Sequence, residues 1–323
     1  MKAIVQTRYG SPEVMQLAEV EAPTVPDNGV LVKVHATSIN SGDWRLMRGT
    51  PFLVRLMFGG LRKPKIKTLG MDVSGTVEAV GRSVTQFKPG DAVFGDTSEA
   101  GFGSFAEYLC APEATFAHKP AQISFEAAAT VPVAALTALQ GLRDCGQIQA
   151  GQKVLINGAS SGVGTFAVQL AKAFGAEVTA VCSREKSAMV VSLGADQMID
   201  YHQTDITKMP AQYDLIFDVA AYRSVYHYLP ILKPQGTYVL VGGAIERFFQ
   251  LMLFGPWISR RQGKSIKVLS VKPNQADLVV LSDLLEAGKI VPVIDRTYPL
   301  SQVPAAIHQM EQRQVTGKIA IAI

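Results

Sequence analysis

The stretch Val154-Leu-Ile-Asn-Gly-Ala-Ser-Ser-Gly-Val-Gly-Thr-Phe-Ala-Val-Gln-Leu-Ala-Lys172 has the residue types for holding a pyrophosphate. An apolar strand runs into a turn of small residues, and a helix begins at once. Small residues let the backbone approach phosphate, and the helix N-terminus offers N–H groups and partial positive charge. Ala159, Ser161 and Gly164 occupy the places of the Gly-x-Gly-x-x-Gly pattern, with Ser160, Gly162 and Val163 between them. The strand-turn-helix context points to a dinucleotide rather than to an ordinary βα turn. The next strand ends at Cys182 and is followed by Ser183, Arg184, Glu185 and Lys186. An NAD site places Asp or Glu at that strand end for the ribose 2′-hydroxyl. Here a hydroxyl and two cations stand instead, which suits the 2′-phosphate of NADPH. The alternative is a solvated helix start.

The elements that must position this turn follow from the pattern around it. After Gly151 strands and helices alternate: Lys153–Asn157, Gly162–Phe174, Glu177–Cys182 and Glu185–Leu193, with later strands at Tyr213–Val219, Thr237–Val241 and Lys267–Val271. Alternation of this kind builds a parallel sheet with helices on both faces. The first ~120 residues instead carry short β-rich runs separated by Gly, Pro and Asp, at Lys2–Gln6, Val30–Ala36, Val73–Val80, Ala92–Gly95 and Phe105–Ala111. These read as a small barrel. Phe125–Leu142 reads as one helix. Strands return after Val291 around one helix and could complete the barrel.

The chain has 323 residues, 48% of them hydrophobic and 18% charged. That composition excludes disorder as the main state and fits about two domains. The net charge of +4 is too mild to argue for nucleic acid. Cys110, Cys145 and Cys182 are far apart, so neither a disulfide framework nor a four-cysteine zinc site is expected. No signal peptide or apolar run long enough for a membrane span is read, and a cytoplasmic protein is the expectation.

Two families share such a turn. Short-chain dehydrogenases place it near the N-terminus, with a catalytic Tyr-x-x-x-Lys. Here ~150 residues precede it, and no Lys stands four after Tyr201, Tyr213, Tyr222 or Tyr226. Along the rest of the chain run, in order, Ser38-Ile-Asn-Ser-Gly-Asp43, Leu69 through Gly81, Lys88-Pro-Gly-Asp-Ala-Val-Phe94, Gly103-Ser-Phe-Ala-Glu-Tyr108 and Ala128 through Leu139. The glycine turn, Leu193-Gly-Ala-Asp196, Ile199-Asp-Tyr201 and Gly317-Lys-Ile319 complete the series. With these the whole chain resembles the medium-chain dehydrogenase/reductase superfamily, in its zinc-independent quinone oxidoreductase-like and alkenal/enone reductase branch. The resemblance implies an α/β protein: a GroES-like β-barrel domain over 1–123 and 273–323, and a Rossmann doubly wound domain over 124–272.

Zinc members of that superfamily carry Cys where Ser38-Ile-Asn-Ser41 stands, and Gly-His-Glu where Gly70-Met-Asp72 stands. The five histidines show no metal-ligand spacing, so no metal is assigned. The remaining chemistry is hydride transfer from NADPH to a quinone or an α,β-unsaturated carbonyl, whose conjugation places developing charge on a distant oxygen. A secondary alcohol/carbonyl oxidoreductase and a non-catalytic NADPH-binding partner protein are the alternatives. By resemblance, Asn40 lies at the nicotinamide end and bonds cofactor or acceptor oxygen, against a turn-stabilising role. Asp43 orients Asn40 or Arg45, and Arg45 stands where some enone reductases have a cofactor-contacting Lys. Thr137, Tyr201, Val241, Gly242 and Lys318 are further cofactor contacts. No proton donor is assigned.

Residues 44–71 contain seven basic residues and no acid, among Phe52, Leu53, Val54, Leu56, Met57 and Phe58; residues 247–276 contain six and no acid, around Phe248 to Ile258. They read as apolar lids or a dimer contact, with peripheral membrane binding as the sharper alternative. An apolar edge strand at Lys267–Val271 suggests a homodimer.

Overall fold

The computed structural model describes residues 1–58 and 60–323 in two compact units. The first comprises Met1–Ala134, Pro273–Gly288 and Pro292–Ile323; the second comprises Ala135–Lys272 and Lys289–Val291. The first unit runs past 123 because its β-rich part is closed by helical residues up to Ala134.

In the first unit, β1 (Lys2–Gln6) and β2 (Met15–Glu19) form an antiparallel hairpin. Next come β3 (Gly29–Ser38), α1 (Ser41–Arg48), α2 (Phe52–Met57), β4 (Asp72–Val80), β5 (Ala92–Asp96), β6 (Tyr108–Pro112), β7 (Phe116–His118) and α3 (Phe125–Ala129). The expected single helix over Phe125–Leu142 is interrupted. Pro132 lacks an N–H and restricts the residue before it, so α3 stops and α4 (Pro132–Gln140) starts at the proline.

In the second unit, β8 (Lys153–Asn157), α5 (Gly162–Ala173), β9 (Glu177–Cys182), α6 (Ser187–Ser192), β10 (Gln197–Asp200), β11 (Tyr213–Asp218), β12 (Leu232–Leu240), α7 (Ile245–Gln262) and β13 (Ser265–Val268) follow. All pairs are parallel, in the order β10-β9-β8-β11-β12-β13. β13 is an edge strand. Val154, Leu155 and Ile156 in β8 are fully buried, as a strand covered on both faces requires.

The chain then returns to the first unit with α8 (Gln275–Glu286), β14 (Ile294–Pro299), α9 (Val303–Glu311) and β15 (Lys318–Ala322). The large sheet there runs β14-β15-β3-β4-β5-β7, with β6 also on β3. β15 lies antiparallel to β3, with Ala320 opposite Ser38. This register brings the Gly317-Lys318-Ile319 segment beside the end of β3.

The segments 44–71 and 247–276 contain α2 and α7. Their apolar residues are largely exposed: Phe52, Leu56 and Met57 on α2, and Met252, Leu253, Phe254 and Trp257 on α7. Among the described residues no helix is long and apolar enough to cross a membrane.

Candidate functional site

In the first unit, four chain segments meet on one buried carboxylate, Asp72 at the start of β4. It is completely buried. Its Oδ2 accepts from the Ser38 hydroxyl, from Asn40 Nδ2 at 2.8 Å and from Lys318 Nζ at 3.1 Å. Its Oδ1 accepts the Val133 N–H at 2.8 Å, in the first turn of α4, where a helix N-terminus favours a negative charge. A buried carboxylate demands such partners.

Lys318 is 4% exposed. Its ammonium donates to Asp72, to Asn40 Oδ1 and to the Ile39 carbonyl, so its three protons all have acceptors inside this unit. These two charges fix the Asn40 side chain. An ammonium has only donors, so it must face the amide oxygen; a carboxylate has only acceptors, so it must face the amide nitrogen. One hydrogen of Asn40 Nδ2 then remains without a protein acceptor among the described residues. Asn40 is 6% exposed, so only a narrow part of that amide is reachable.

Asp43 works one layer deeper. Its Oδ2 accepts the Asn40 N–H at 2.7 Å and its Oδ1 accepts the Gly70 N–H at 3.2 Å. It holds the first turn of α1 against the loop before β4. Complete burial pushes its carboxyl up to about 7, with Asp72 adding to the rise and the N–H bonds and Lys318 opposing it. Asp96 lies opposite Asp72 in the β4–β5 register, and burial pushes it up to about 6. Arg45, on α1, lays its guanidinium 5.2 Å from the Trp44 ring centre.

In the second unit, β8 feeds the glycine turn. Gly158 has a φ of +81°, which a side chain disfavours. The Ser161 hydroxyl donates to the Gly158 carbonyl at 2.8 Å and accepts the Gly164 N–H at 3.1 Å, capping α5. A Cβ on Gly164 would stand 2.2 Å from the Gly158 carbonyl oxygen, so only glycine lets the helix start this close to the turn. Ala159 donates to the Val181 carbonyl, whereas the N–H groups of Ser160, Gly162 and Val163 find no acceptor among the described residues. Unpartnered N–H groups at a helix N-terminus fit a pyrophosphate.

Asn157 and Asp218 close the adjacent ends of β8 and β11. Asn157 Nδ2 donates to Asp218 Oδ1 at 2.7 Å and to the Tyr228 hydroxyl oxygen at 3.0 Å; the Tyr238 hydroxyl donates to Asp218 Oδ2 at 2.6 Å. Burial pushes Asp218 up to about 6, and burial beside Asp218 pushes both tyrosines above their usual range. This network fixes the two strand ends from which the glycine turn and the Val219–Ala221 loop depart.

Ser183, Arg184 and Lys186 follow β9, and Tyr201 follows β10, the neighbouring strand. The Tyr201 N–H donates to the Cys182 carbonyl at 3.4 Å, which places these residues along one sheet end. Arg184 is exposed, Tyr201 is half-exposed, and Tyr201 lies 4.2 Å from the His202 ring. Val241 and Gly242 follow β12, and both N–H groups donate to the Asp218 carbonyl. Thr137 lies half-buried on α4. Asn40, Asp43 and Lys318 thus come together in one unit, and the turn residues with Ser183, Arg184, Lys186 and Tyr201 share one end of the sheet in the other.

The sequence reading missed Asp72, Ser38, Asp96, Asn157, Asp218, Tyr228 and Tyr238. A usable signal existed for Asp72 and Asp218: each is an acid at the end of an apolar strand, where burial without a partner is unfavourable.

Comparison with known proteins agrees with this layout. Residues 26–121 match the alcohol dehydrogenase GroES-like domain, and residues 193–321 match a family described as zinc-binding dehydrogenase. The chain is 34% identical to the mitochondrial NAD(P)H oxidoreductase RTN4IP1 of Bos taurus, covering 100% of this chain and 89% of that one. It is 33% identical to the chloroplastic NADPH-dependent alkenal/one oxidoreductase of Arabidopsis thaliana, covering 99% and 79%. The solved quinone oxidoreductase of Coxiella burnetii superposes with a TM-score of 0.89 at 30% identity, covering 100% of this chain and 99% of that one. With a GroES-like unit at both chain ends, a Rossmann sheet between them and relatives spanning its whole length, the chain belongs to the medium-chain dehydrogenase/reductase superfamily.

Proposed function

We propose that the chain is an NADPH-dependent, zinc-independent oxidoreductase that reduces a quinone or an α,β-unsaturated carbonyl. The observation that carries it is the paired arrangement in the second unit: unpartnered N–H groups at the glycine turn, with no acid at the end of β9, where Cys182 and Ser183 stand, and Arg184 and Lys186 just beyond, flanking Glu185. NADPH, when bound, supplies the hydride. Ser160, Gly162 and Val163 hold the pyrophosphate through backbone N–H groups, and Arg184 and Lys186 meet the 2′-phosphate with charge-assisted bonds. Tyr201, Thr137, Val241 and Gly242 are proposed as further cofactor contacts.

Asn40 is the proposed polar contact at the reacting end. Its one uncommitted amide hydrogen donates to the acceptor's carbonyl oxygen or to the cofactor, and a donor placed beforehand stabilises charge that develops there. Asp72, Lys318 and Asp43 are positioning residues that hold this amide. Lys318 is therefore reassigned from cofactor contact to positioning, because its protons face Asp72, Asn40 and Ile39. Asp43 orients Asn40 through the backbone N–H. Zinc independence rests on the donor set: by the family resemblance, Ser38-Ile-Asn-Ser41 stands where zinc members carry Cys and Met71 where they carry His, and among the described residues no group of three His, Cys, Asp or Glu is placed to hold a metal. A homodimer through the β13 edge and a cytoplasmic location are part of the same reading.

The test is loss of NADPH absorbance after chelation, against short and long alkenals, vinyl ketones and quinones, with NADH in parallel. Turnover with NADPH and little with NADH is the expected outcome. No turnover on any acceptor would overturn the reading.

A further inference from the structure

We propose that the outward face of α7 is a docking surface for an anionic lipid bilayer. α7 has two apolar sides. Leu251, Gly255 and Ile258 are buried within the second unit. On the opposite side, at helical spacing, stand Phe249, Met252, Leu253, Pro256 and Trp257, and Leu253 is 72% exposed and Trp257 55%. A surface helix of a globular protein carries polar residues there. This apolar face ends on exposed Arg260 and Arg261, with the Arg261 guanidinium 5.2 Å from the Trp257 ring centre. No acid occurs from 247 to 276.

Charge selects the partner. An apolar, aromatic helix face bordered by cations matches an interface of acyl chains and anionic headgroups. Exposed Arg260 and Arg261 border the apolar face at one end, and Glu246, at the other end, is the sole acid on the helix. The chemistry is repeated in the first unit. There Phe52, Leu56 and Met57 of α2 are 64%, 60% and 69% exposed, followed by exposed Arg62, Lys63, Lys65 and Lys67. One chemistry carried on an element of each unit suits a partner that imposes no particular shape. Contact lies in the plane of the interface, since no described helix can span it. The proposal is independent of the assigned activity, because its readout is partition and not turnover.

The experiment is flotation of the whole chain with two vesicle preparations: phosphatidylcholine alone, and phosphatidylcholine with about 30% phosphatidylglycerol, at low and high salt. Wild-type protein floats with the anionic vesicles at low salt and is released by high salt. Leu253→Ser with Trp257→Ser lowers the bound fraction at least about tenfold with an unchanged melting temperature, because these side chains are largely exposed. Arg260→Gln with Arg261→Gln removes the preference for phosphatidylglycerol, roughly five-fold per cation. Recovery of the wild type only in the soluble fraction at low salt overturns the proposal. So does a dimer by light scattering that the Leu253/Trp257 variant dissociates, with no flotation; the face would then hold a second copy.

Discussion

At the scale of residues, one buried ion pair decides which way the Asn40 amide points. Lys318→Met leaves Asp72 buried without its cation. Breaking such a pair from one side destabilises by about 3–5 kcal/mol, and adding Asp72→Asn recovers part of that loss by removing the orphaned charge. Urea unfolding of the single and double variants measures this coupling. Asp43 adds a pH dependence. In an unfolded chain its carboxyl titrates near ~3.9, and the folded protein raises it to about 7. The native state therefore holds that proton more tightly. The stability contributed is complete below pH ~4 and is lost as pH rises to about 7, by about 3–4 kcal/mol. Asp43→Asn should flatten this fall, read as melting temperature against pH beside the wild type. None of these linkages could be read along the chain. Asp72 meets Asn40 across 32 residues and Lys318 across 246, and only the closing of the sheet brings them together.

At the scale of elements, the glycine turn and the strand after it carry separate properties. Gly164→Ala drives a methyl group into the Gly158 carbonyl. Backbone cannot yield as a side-chain tip can, so a loss of about 1–3 kcal/mol is expected, with weakened NADPH affinity by fluorescence titration. Arg184→Ala with Lys186→Ala should raise the KM for NADPH about 10–100-fold while leaving that for NADH unchanged, since charge-assisted bonds to the 2′-phosphate are absent with NADH. These elements were legible in the sequence because β8, β9 and β11 are short apolar runs closed by Gly or polar residues, a local signal, whereas β10, Gln-Met-Ile-Asp, has too few apolar residues to be read as a strand. α1, α2 and α7 were not. α7 is apolar on both sides, so its pattern lacks the one-sided period that marks a helix. The split of α3 from α4 was signalled by Pro132, which the Ala-rich composition on either side outweighed in the reading.

At the scale of the whole molecule, the second unit is an almost continuous insertion, 135–272, within a first unit assembled from both ends. The proposed NADPH contacts of the glycine turn and the 2′-phosphate end lie wholly in that insertion. Saturation at about 100 times Kd should stabilise the unit that binds by about 2.7 kcal/mol. That gain is read as protection of its strands from hydrogen exchange, and removal of the cofactor by gel filtration should reverse it.

The pairing of β15 with β3 also sets an order of events during synthesis. Asp72 leaves the ribosome 246 residues before Lys318. Until Lys318 is made it has no cation, and β3 lacks one of its neighbours. The inserted sheet, by contrast, has all its strands by Val268. The nucleotide-binding fold can therefore mature on the nascent chain while the pocket around Asn40 waits for β15. A premature stop before Gly317 would release a chain with a finished Rossmann sheet and an unfinished barrel.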